Sequence, residues 1–309
     1  MSNFFITFTA VLIMMCYAIP GFILVRTGQI KENAIPAFAK VLMYVCSPCL
    51  TIYTIANLDY SFDIVRDVII VLVTSLAIQV LLLLVFRFIF RKRYDDVKYR
   101  IYTIATAMGN CGFMGVPLLE AVMPEHPEAL VMSTAYCVGM NLIGWTVASA
   151  IISNDVKYMK VHKALLNPAV LSLVVAIPLF VTNTKLPSQV NGMVTLLGKM
   201  SLPMCMLIMG MRLATMELKH LFTDRRQYFI IFIKQIIMPL IALGLFMLLP
   251  VAPYLKKTMF ILSAAPVASV VLNFSEMIGE GQKTAANLVL LGTLLSVITI
   301  PILMLIPWI

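Results

Sequence analysis

The chain has 309 residues, of which 61% are hydrophobic and only 12% are charged, and its formal net charge is +9. This composition lies well outside that of soluble domains, whose surfaces carry far more charged side chains. It argues against a soluble enzyme, a nucleic-acid-binding protein and a disulfide scaffold. Since a bilayer helix needs about 20 apolar residues, the composition predicts an all-α polytopic membrane protein.

Apolar runs between charged or Pro/Gly/Asn-rich segments predict ten transmembrane helices. Helices are favoured over a β-barrel because the runs do not alternate apolar and polar residues. In chain order, the predicted spans are 3–25, 35–56, 65–90, 98–122, 129–152, 164–182, 191–213, 227–249, 257–279 and 285–308. The first run has no basic residue before it, so we expect a retained helix and not a signal peptide.

The distribution of Lys and Arg predicts the orientation, because loops rich in these residues stay in the cytoplasm. With ten spans, sixteen of the 23 basic residues fall in loops on one side and four on the other. This asymmetry favours a plasma-membrane protein whose N- and C-termini both lie outside. The basic block from Arg87 to Arg100 lies beside a predicted span, so topology and anionic lipid explain it better than nucleic acid does.

The two halves of the chain resemble each other. The segment Ala10–Phe22 is similar to Ala169–Phe180, and Pro48 and Pro203 lie at matching places in the second and seventh spans. Each half has five predicted spans, an odd number, so the halves enter the membrane from opposite faces, as in transporters built from inverted repeats. We therefore predict a first five-helix repeat at 1–156 and a second at 157–309.

The fourth and ninth predicted spans both contain a break. Three glycines, Asn110 and Pro117 lie within residues 109–117, and Pro266 lies in the ninth span. Glycine is costly inside a helix, and proline removes a backbone donor. Matched interruptions point to a transport site, where free main-chain N–H groups favour an anionic group. A proline kink that only shapes packing is the alternative.

The chain resembles the auxin efflux carrier family, in its short prokaryotic form, along essentially its whole length. The segments that carry the resemblance are Asn110–Leu119, Leu166–Ala169, Leu202–Met204, Ala264–Pro266 with Asn273, and Gly292–Pro301. The family implies two inverted five-helix repeats, similar to bile-acid sodium symporters and sodium/proton antiporters, with broken helices 4 and 9 that cross. It also implies a scaffold of helices 1, 2, 6 and 7, a transport unit of helices 3–5 and 8–10, and, in plant members, a homodimer.

Two positions of the plant carriers can be transferred to this chain. Their Pro-Asn pair in helix 4 falls on Gly109 and Asn110, so the asparagine is kept and the proline is not. Their proline in helix 9 falls on Pro266, which is followed here by Val267 instead of a polar residue. This departure argues against auxin-like specificity. The prokaryotic relatives imply malate, malonate or similar carboxylates.

We predict a substrate site where the two breaks meet and face the scaffold. Lys234 lies in an apolar run and would attract a carboxylate, with snorkelling to the membrane surface as the alternative. Lys40 and Lys199 lie nearer span starts, where snorkelling is favoured. Asn141 would orient the crossing or form only an interhelical hydrogen bond. The predicted substrate-binding residues are Ser47, Pro48, Cys49, Gly109, Asn110, Cys111, Asn141, Ser201, Pro203, Met204, Lys234, Pro266 and Val267.

The predicted function is secondary transport of a small organic anion by an elevator-type alternating-access mechanism. A ligand-sensing membrane domain of the same fold, without net transport, is the alternative. We expect no enzymatic activity, no cofactor and no metal site, because paired acids, metal-ligand sets and nucleophile–base spacings are missing from the sequence. The acidic residues and the three histidines fall in loops or near span ends, and both sodium and protons stay open as coupling ions.

Overall fold

The computed structural model describes residues 2–159, 161–216, 222 and 224–306. Regular secondary structure in these residues is helical, apart from an isolated antiparallel β-bridge between Gly109 and Val267. Three residues that the sequence assigned to loops, Lys160, Lys219 and His220, lie outside the described residues.

The helices in the first half of the chain range in length from 5 to 28 residues. They are α1 (Ser2–Cys16), α2 (Ala18–Arg26), α3 (Ile35–Val41), α4 (Ser47–Ala56), α5 (Phe62–Ile89), α6 (Val97–Ala107), α7 (Gly115–Val122), α8 (Glu128–Ile143) and α9 (Ser149–Ser153). The π-helical turns Leu42–Cys46 and Gly144–Ala148 join α3 to α4 and α8 to α9. Short 3₁₀ turns lie at Glu32–Ala34, Arg91–Arg93 and Val156–Tyr158.

The second half has the same kinds of element. Its described helices are α10 (Val161–Leu165), α11 (Pro168–Leu171), α12 (Leu173–Val181), α13 (Ser188–Lys199), α14 (Ser201–Thr215), α15 (Arg225–Phe232), α16 (Met238–Leu248), α17 (Pro253–Ala264), α18 (Val270–Ile278) and α19 (Gln282–Leu303). A third π-helical turn, Ile233–Ile237, joins α15 to α16.

In the part of the chain that the structure describes, seven helical stretches are long and apolar enough to cross a bilayer. They are Phe4–Arg26, Glu32–Ala56, Phe62–Ile89, Glu128–Ser153, Ser188–Thr215, Arg225–Leu248 and Gln282–Leu303. Each agrees with a predicted span to within a few residues. Large apolar side chains on these stretches are exposed, including Phe62 at 74% and Leu248 at 83%, as expected where lipid is the solvent. The chain is therefore a multi-pass membrane protein, as predicted.

The other three predicted spans are not single long helices. The fourth, 98–122, is divided into α6 and α7, and the ninth, 257–279, into α17 and α18, both at the predicted breaks. The sixth, 164–182, was expected to be continuous and is not. The Asn167 side chain accepts a hydrogen bond from the N–H of Ala169, and Pro168 occupies the first helical position. This capping starts a new, shorter apolar helix, Pro168–Val181.

Glycines bring α2 and α14 into direct backbone contact. A Cβ added at Gly21 would overlap the backbone of Leu207, and one added at Gly210 would overlap the carbonyl of Ala18. Small residues of this kind let membrane helices approach closely, which increases their van der Waals contact. The pair α2 and α14 thus forms a tightly packed unit that joins the two halves of the chain.

Two further helix pairs are packed in the same way. A Cβ added at Gly198 of α13 would lie 3.0 Å from the carbonyl oxygen of Cys49 in α4. Similarly, a Cβ added at Gly139 of α8 would lie 3.1 Å from Oγ of Ser75 in α5. The contacts of α4 with α13 and of α5 with α8 are therefore also close.

The deepest part of the molecule is formed by the broken helices. Residues 99–111 and residues 258–268 are all buried. Around them lie the largest fully buried side chains, which include Tyr136, Phe260, Phe274 and Lys234. Both breaks thus lie in the protein interior, where irregular backbone is tolerated at membrane depth.

Candidate functional site

The two broken helices meet at their interruptions, backbone against backbone. The segment between α6 and α7 crosses the segment between α17 and α18 at the β-bridge of Gly109 with Val267. Two hydrogen bonds flank this bridge, from Asn110 N to Pro266 O at 2.7 Å and from Ala268 N to Met108 O at 3.0 Å. Some of the backbone groups that the breaks release from helices are thereby paired across the crossing.

The residue types at the crossing explain why it forms here. A Cβ added at Gly109 would lie 2.8 Å from Nζ of Lys234 and 3.3 Å from the carbonyl oxygen of Ala265, so a larger residue would push its neighbours apart. Pro266 has no N–H to leave unpaired, and its carbonyl is free to accept the bond from Asn110. Glycine permits the close approach, and proline ends the helix.

Lys234 lies at the crossing and does not snorkel to the membrane surface. Its side chain is 0% exposed, and Nζ donates a hydrogen bond of 2.7 Å to the carbonyl oxygen of Ser263. Ser263 belongs to the last turn of α17, a place where the helix dipole favours a cation. Within the described residues, no carboxylate forms an ion pair with Lys234. The hydrogen-bond acceptor described for its ammonium group is thus a neutral carbonyl oxygen.

Gln235, which is not among the predicted site residues, connects the crossing to α19. Its Nε2 donates to the carbonyl oxygen of Gly292 at 2.5 Å, and its Oε1 accepts from Oγ1 of Thr299 at 2.7 Å. A Cβ added at Gly292 would lie 3.7 Å from N of Val267. An amide next to a lysine in an apolar run was the signal in the sequence that could have identified this residue.

Asn110 and Cys111 contact helices on both sides of the crossing. Asn110 is only 4% exposed, and its side chain lies beside the Cys205 thiol on α14. Oγ of Ser133 donates to the carbonyl oxygen of Cys111 at 2.6 Å, and the thiol of Cys111 lies 3.1 Å from that of Cys137. The predicted site thus gains Cys205, the neighbour of the predicted Met204, as a direct contact of Asn110.

A cavity of about 200 Å³ lies between α7 and the helices α4, α13 and α14. Ser201 and Pro203, both predicted site residues, lie in its wall. The wall residues that matter for its chemistry are Tyr53, Phe113, Glu120, Lys199, Ser201 and Pro203. Phe113 belongs to the segment that follows Asn110, so the cavity adjoins the crossing.

Three polar side chains form one network in this cavity. The Tyr53 hydroxyl donates to Oε1 of Glu120 at 2.6 Å, while Nζ of Lys199 lies 3.8 Å from the same oxygen and 5.2 Å from the centre of the Tyr53 ring. Lys199 was expected near a span start, but it lies inside the continuous stretch Ser188–Thr215. The hydroxyl of Ser201 is buried and has no hydrogen-bond partner among the described residues.

Ser47, Pro48 and Cys49 lie at the start of α4 and are half-buried. The carbonyl of Cys49 faces Gly198 of α13. Like Met204, these three residues do not line the cavity described above. The structure therefore puts this part of the predicted set beside the cavity wall and not at the crossing.

Asn141 forms an interhelical contact, which was the alternative interpretation of this residue. Its Nδ2 donates to the carbonyl oxygen of Cys137 at 3.0 Å, and its Oδ1 accepts from Nδ2 of Asn167 at 3.4 Å. Asn167 is the residue that caps α11. The geometry thus links α8 to the start of the sixth predicted span.

Comparison with known proteins gives one family. The sequence model of the family described as "Membrane transport protein" matches the chain over residues 6–164 and 152–304. These two stretches together cover nearly the whole chain and contain both breaks. A search of curated proteins finds no match.

Proposed function

Because the chain belongs to the membrane transport protein family, in agreement with its resemblance to the auxin efflux carriers, we propose that it is a secondary transporter of a small organic anion. The anion binds where the two broken helices cross. The observation that carries this proposal is the buried charge of Lys234 next to Gly109 and Asn110.

A charged lysine at membrane depth costs free energy. That cost is about 2.5–3.5 kcal/mol on insertion scales, so such residues are usually functional. The described hydrogen bond of Lys234 goes to a neutral carbonyl, that of Ser263. A carboxylate guest would supply the missing negative charge. The N-termini of α7 and α18, which follow the two breaks, add partial positive charge for the same guest.

The adjoining cavity favours a small substrate. At about 200 Å³ it is smaller than the usual ligand pocket of roughly 300–1,000 Å³. We therefore favour a compact carboxylate of the malate or malonate class over an auxin-like acid. The apolar Val267 beside Pro266 supports the same choice.

The proposal includes an elevator movement of two units within ten spans arranged as inverted repeats, 1–156 and 157–309. The scaffold comprises α1–α4 and α10–α14, and the transport unit comprises α5–α9 and α15–α19. The glycine contacts of α2 with α14 and of α4 with α13 lie within the scaffold, and that of α5 with α8 lies within the transport unit. We further propose a homodimer in the plasma membrane with both termini outside.

Uptake by proteoliposomes tests the site. Malate, malonate and indole-3-acetate are offered separately, with and without a sodium or proton gradient, which also identifies the coupling ion. Asn110→Ala and Lys234→Met should abolish uptake of the transported acid while the purified proteins stay folded. The matched controls are Asn33→Ala and Lys40→Met, because both side chains are exposed, and these variants should transport normally.

Two results would contradict the proposal. Normal uptake by Asn110→Ala and Lys234→Met would remove the crossing as the binding site. Saturable binding of an acid without any flux would instead favour the ligand-sensing membrane domain.

A further inference from the structure

A second cavity, of about 230 Å³, lies outside the crossing at the ends of α5, α6 and α15. Its wall residues on α6 and α15 are Tyr99, Tyr102, Arg225, Arg226, Phe229 and Ile230, and we call it the basic cleft. Tyr99 precedes Gly109 by ten residues, about 15 Å along a helix. The basic cleft is therefore separate from the proposed transport site.

Two arginines from different halves of the chain converge on one neutral oxygen in the basic cleft. Nη1 of Arg93 donates to the Tyr99 hydroxyl at 2.7 Å, and Nη1 of Arg226 donates to the same hydroxyl at 2.5 Å. Each guanidinium also lies 5.5 Å from the centre of the Tyr99 ring. Two positive charges held this close repel each other, and an anion bound between them would offset that repulsion.

The protein supplies little negative charge to balance these groups. Within the described residues, none of Arg93, Arg225 and Arg226 takes part in an ion pair. The nearby acid is Asp224, whose carboxylate accepts from the Tyr102 hydroxyl at 2.7 Å and from the N–H of Arg226 at 3.0 Å. Among the described residues, this carboxylate, which already caps α15, is the one that bonds to a wall residue of the cleft. With three arginines beside it, the basic cleft keeps a net positive charge.

The rest of the basic cleft is apolar and continues into surface that faces lipid. Phe229 forms part of its wall and is 53% exposed, while Phe88 at the neighbouring end of α5 is 65% exposed. Guanidinium groups bind phosphate oxygens in a fork geometry. A phosphate with attached acyl chains would bind the arginines through its oxygens and the apolar wall through its chains. A free anion would bind the arginines only.

We propose that the basic cleft binds the phosphate group of an anionic phospholipid, whose acyl chains lie along Phe229 and the exposed end of α5. Basic pockets between transmembrane helices bind lipid headgroups by this combination of charge and apolar contact. The bound lipid would join the first half of the chain, through Arg93 and Tyr99, to the second half, through Arg226.

Native mass spectrometry of the purified full chain tests this proposal. The probes are dioleoylphosphatidylglycerol, dioleoylphosphatidylcholine and inorganic phosphate, each titrated separately. Arg93→Gln/Arg226→Gln removes the converging charges. Arg91→Gln/Lys92→Gln is the matched control, because it removes the same amount of charge, from the turn that also holds Arg93, and neither residue donates to the Tyr99 hydroxyl.

The wild type and the control should bind phosphatidylglycerol more tightly than phosphatidylcholine. The cleft variant should lose this preference by about fivefold for each arginine removed. Equal phosphatidylglycerol affinity in the cleft variant and the control would overturn the proposal, as would a wild type without lipid preference. Inorganic phosphate that competes fully with the lipid would identify a free-anion site instead. If the double variant is not monodisperse, Arg93→Gln alone, in an exposed turn, makes the same comparison.

Discussion

At the scale of single residues, Gly109 is closely surrounded by atoms of two other residues. Nζ of Lys234 and the carbonyl oxygen of Ala265 occupy the space that a side chain would need. A Cβ at residue 109 would therefore press against the ammonium group that donates to the carbonyl of Ser263, and the lysine would have to shift. The positions of the crossing backbone and of the buried charge depend on each other at this point.

Gly109→Ala should lower both stability and uptake. Its Cβ would lie 2.8 Å from Nζ of Lys234, and overpacking of this kind costs about 1–3 kcal/mol. The midpoint of thermal unfolding in detergent and uptake by proteoliposomes measure the two effects. Gly244→Ala is the control, since a Cβ there has no neighbour within 4 Å and alanine favours a helix by about 0.5–1 kcal/mol. Equal stability and uptake in the two variants would contradict this account.

The sequence could not decide the direction in which Lys234 points. Its distance from the predicted end of the span allowed snorkelling, and helical periodicity could not exclude it because the π-helical turn Ile233–Ile237 shifts the register of the side chains. Lys199 presented a related difficulty. Its partners, Tyr53 and Glu120, come from the other half of the chain, and sequence spacing does not reveal such contacts.

At the scale of helices, the interruptions were predictable and the short sixth span was not. Glycines and prolines in mid-span are strong local signals, so α6 and α7, and α17 and α18, separate where the sequence indicated. The cap formed by Asn167 ahead of Pro168 lies within a run that hydropathy treats as continuous. A capping side chain acts through one hydrogen bond, which an average over an apolar window does not detect.

Gly210→Ala should weaken the contact of α2 with α14. The added Cβ would overlap the carbonyl of Ala18 and lie 3.0 Å from N of Phe22, and neither backbone atom can move without shifting its helix. We expect a loss of about 1–3 kcal/mol or more, seen as a lower midpoint of thermal unfolding. Gly192→Ala on α13 is the control, because its Cβ would meet no atom within 4 Å. An unchanged midpoint for Gly210→Ala would show that the two helices can separate freely.

At the scale of the whole molecule, several contacts join the proposed scaffold to the proposed transport unit. Glu120 of α7 accepts from Tyr53 of α4 and lies beside Lys199 of α13. Asn110 likewise meets Cys205 of α14. An elevator movement has to break these contacts in every cycle. By contrast, Asn191 of α13 donates to Asn57 at the end of α4 at 3.0 Å, a contact within the scaffold.

Cross-linking should therefore distinguish contacts between the two proposed units from contacts within one unit. In a transport-competent chain whose six cysteines have been replaced by serine, Tyr53→Cys/Glu120→Cys is treated with a bis-methanethiosulfonate reagent. Uptake by proteoliposomes should stop and should return after reduction, because the link holds the two units together. Asn57→Cys/Asn191→Cys, treated in the same way, should keep its uptake, since its link lies within one unit. Full uptake by a completely cross-linked Tyr53→Cys/Glu120→Cys protein would mean that α7 does not move against α4, and alternating access would then need a smaller movement around the crossing itself.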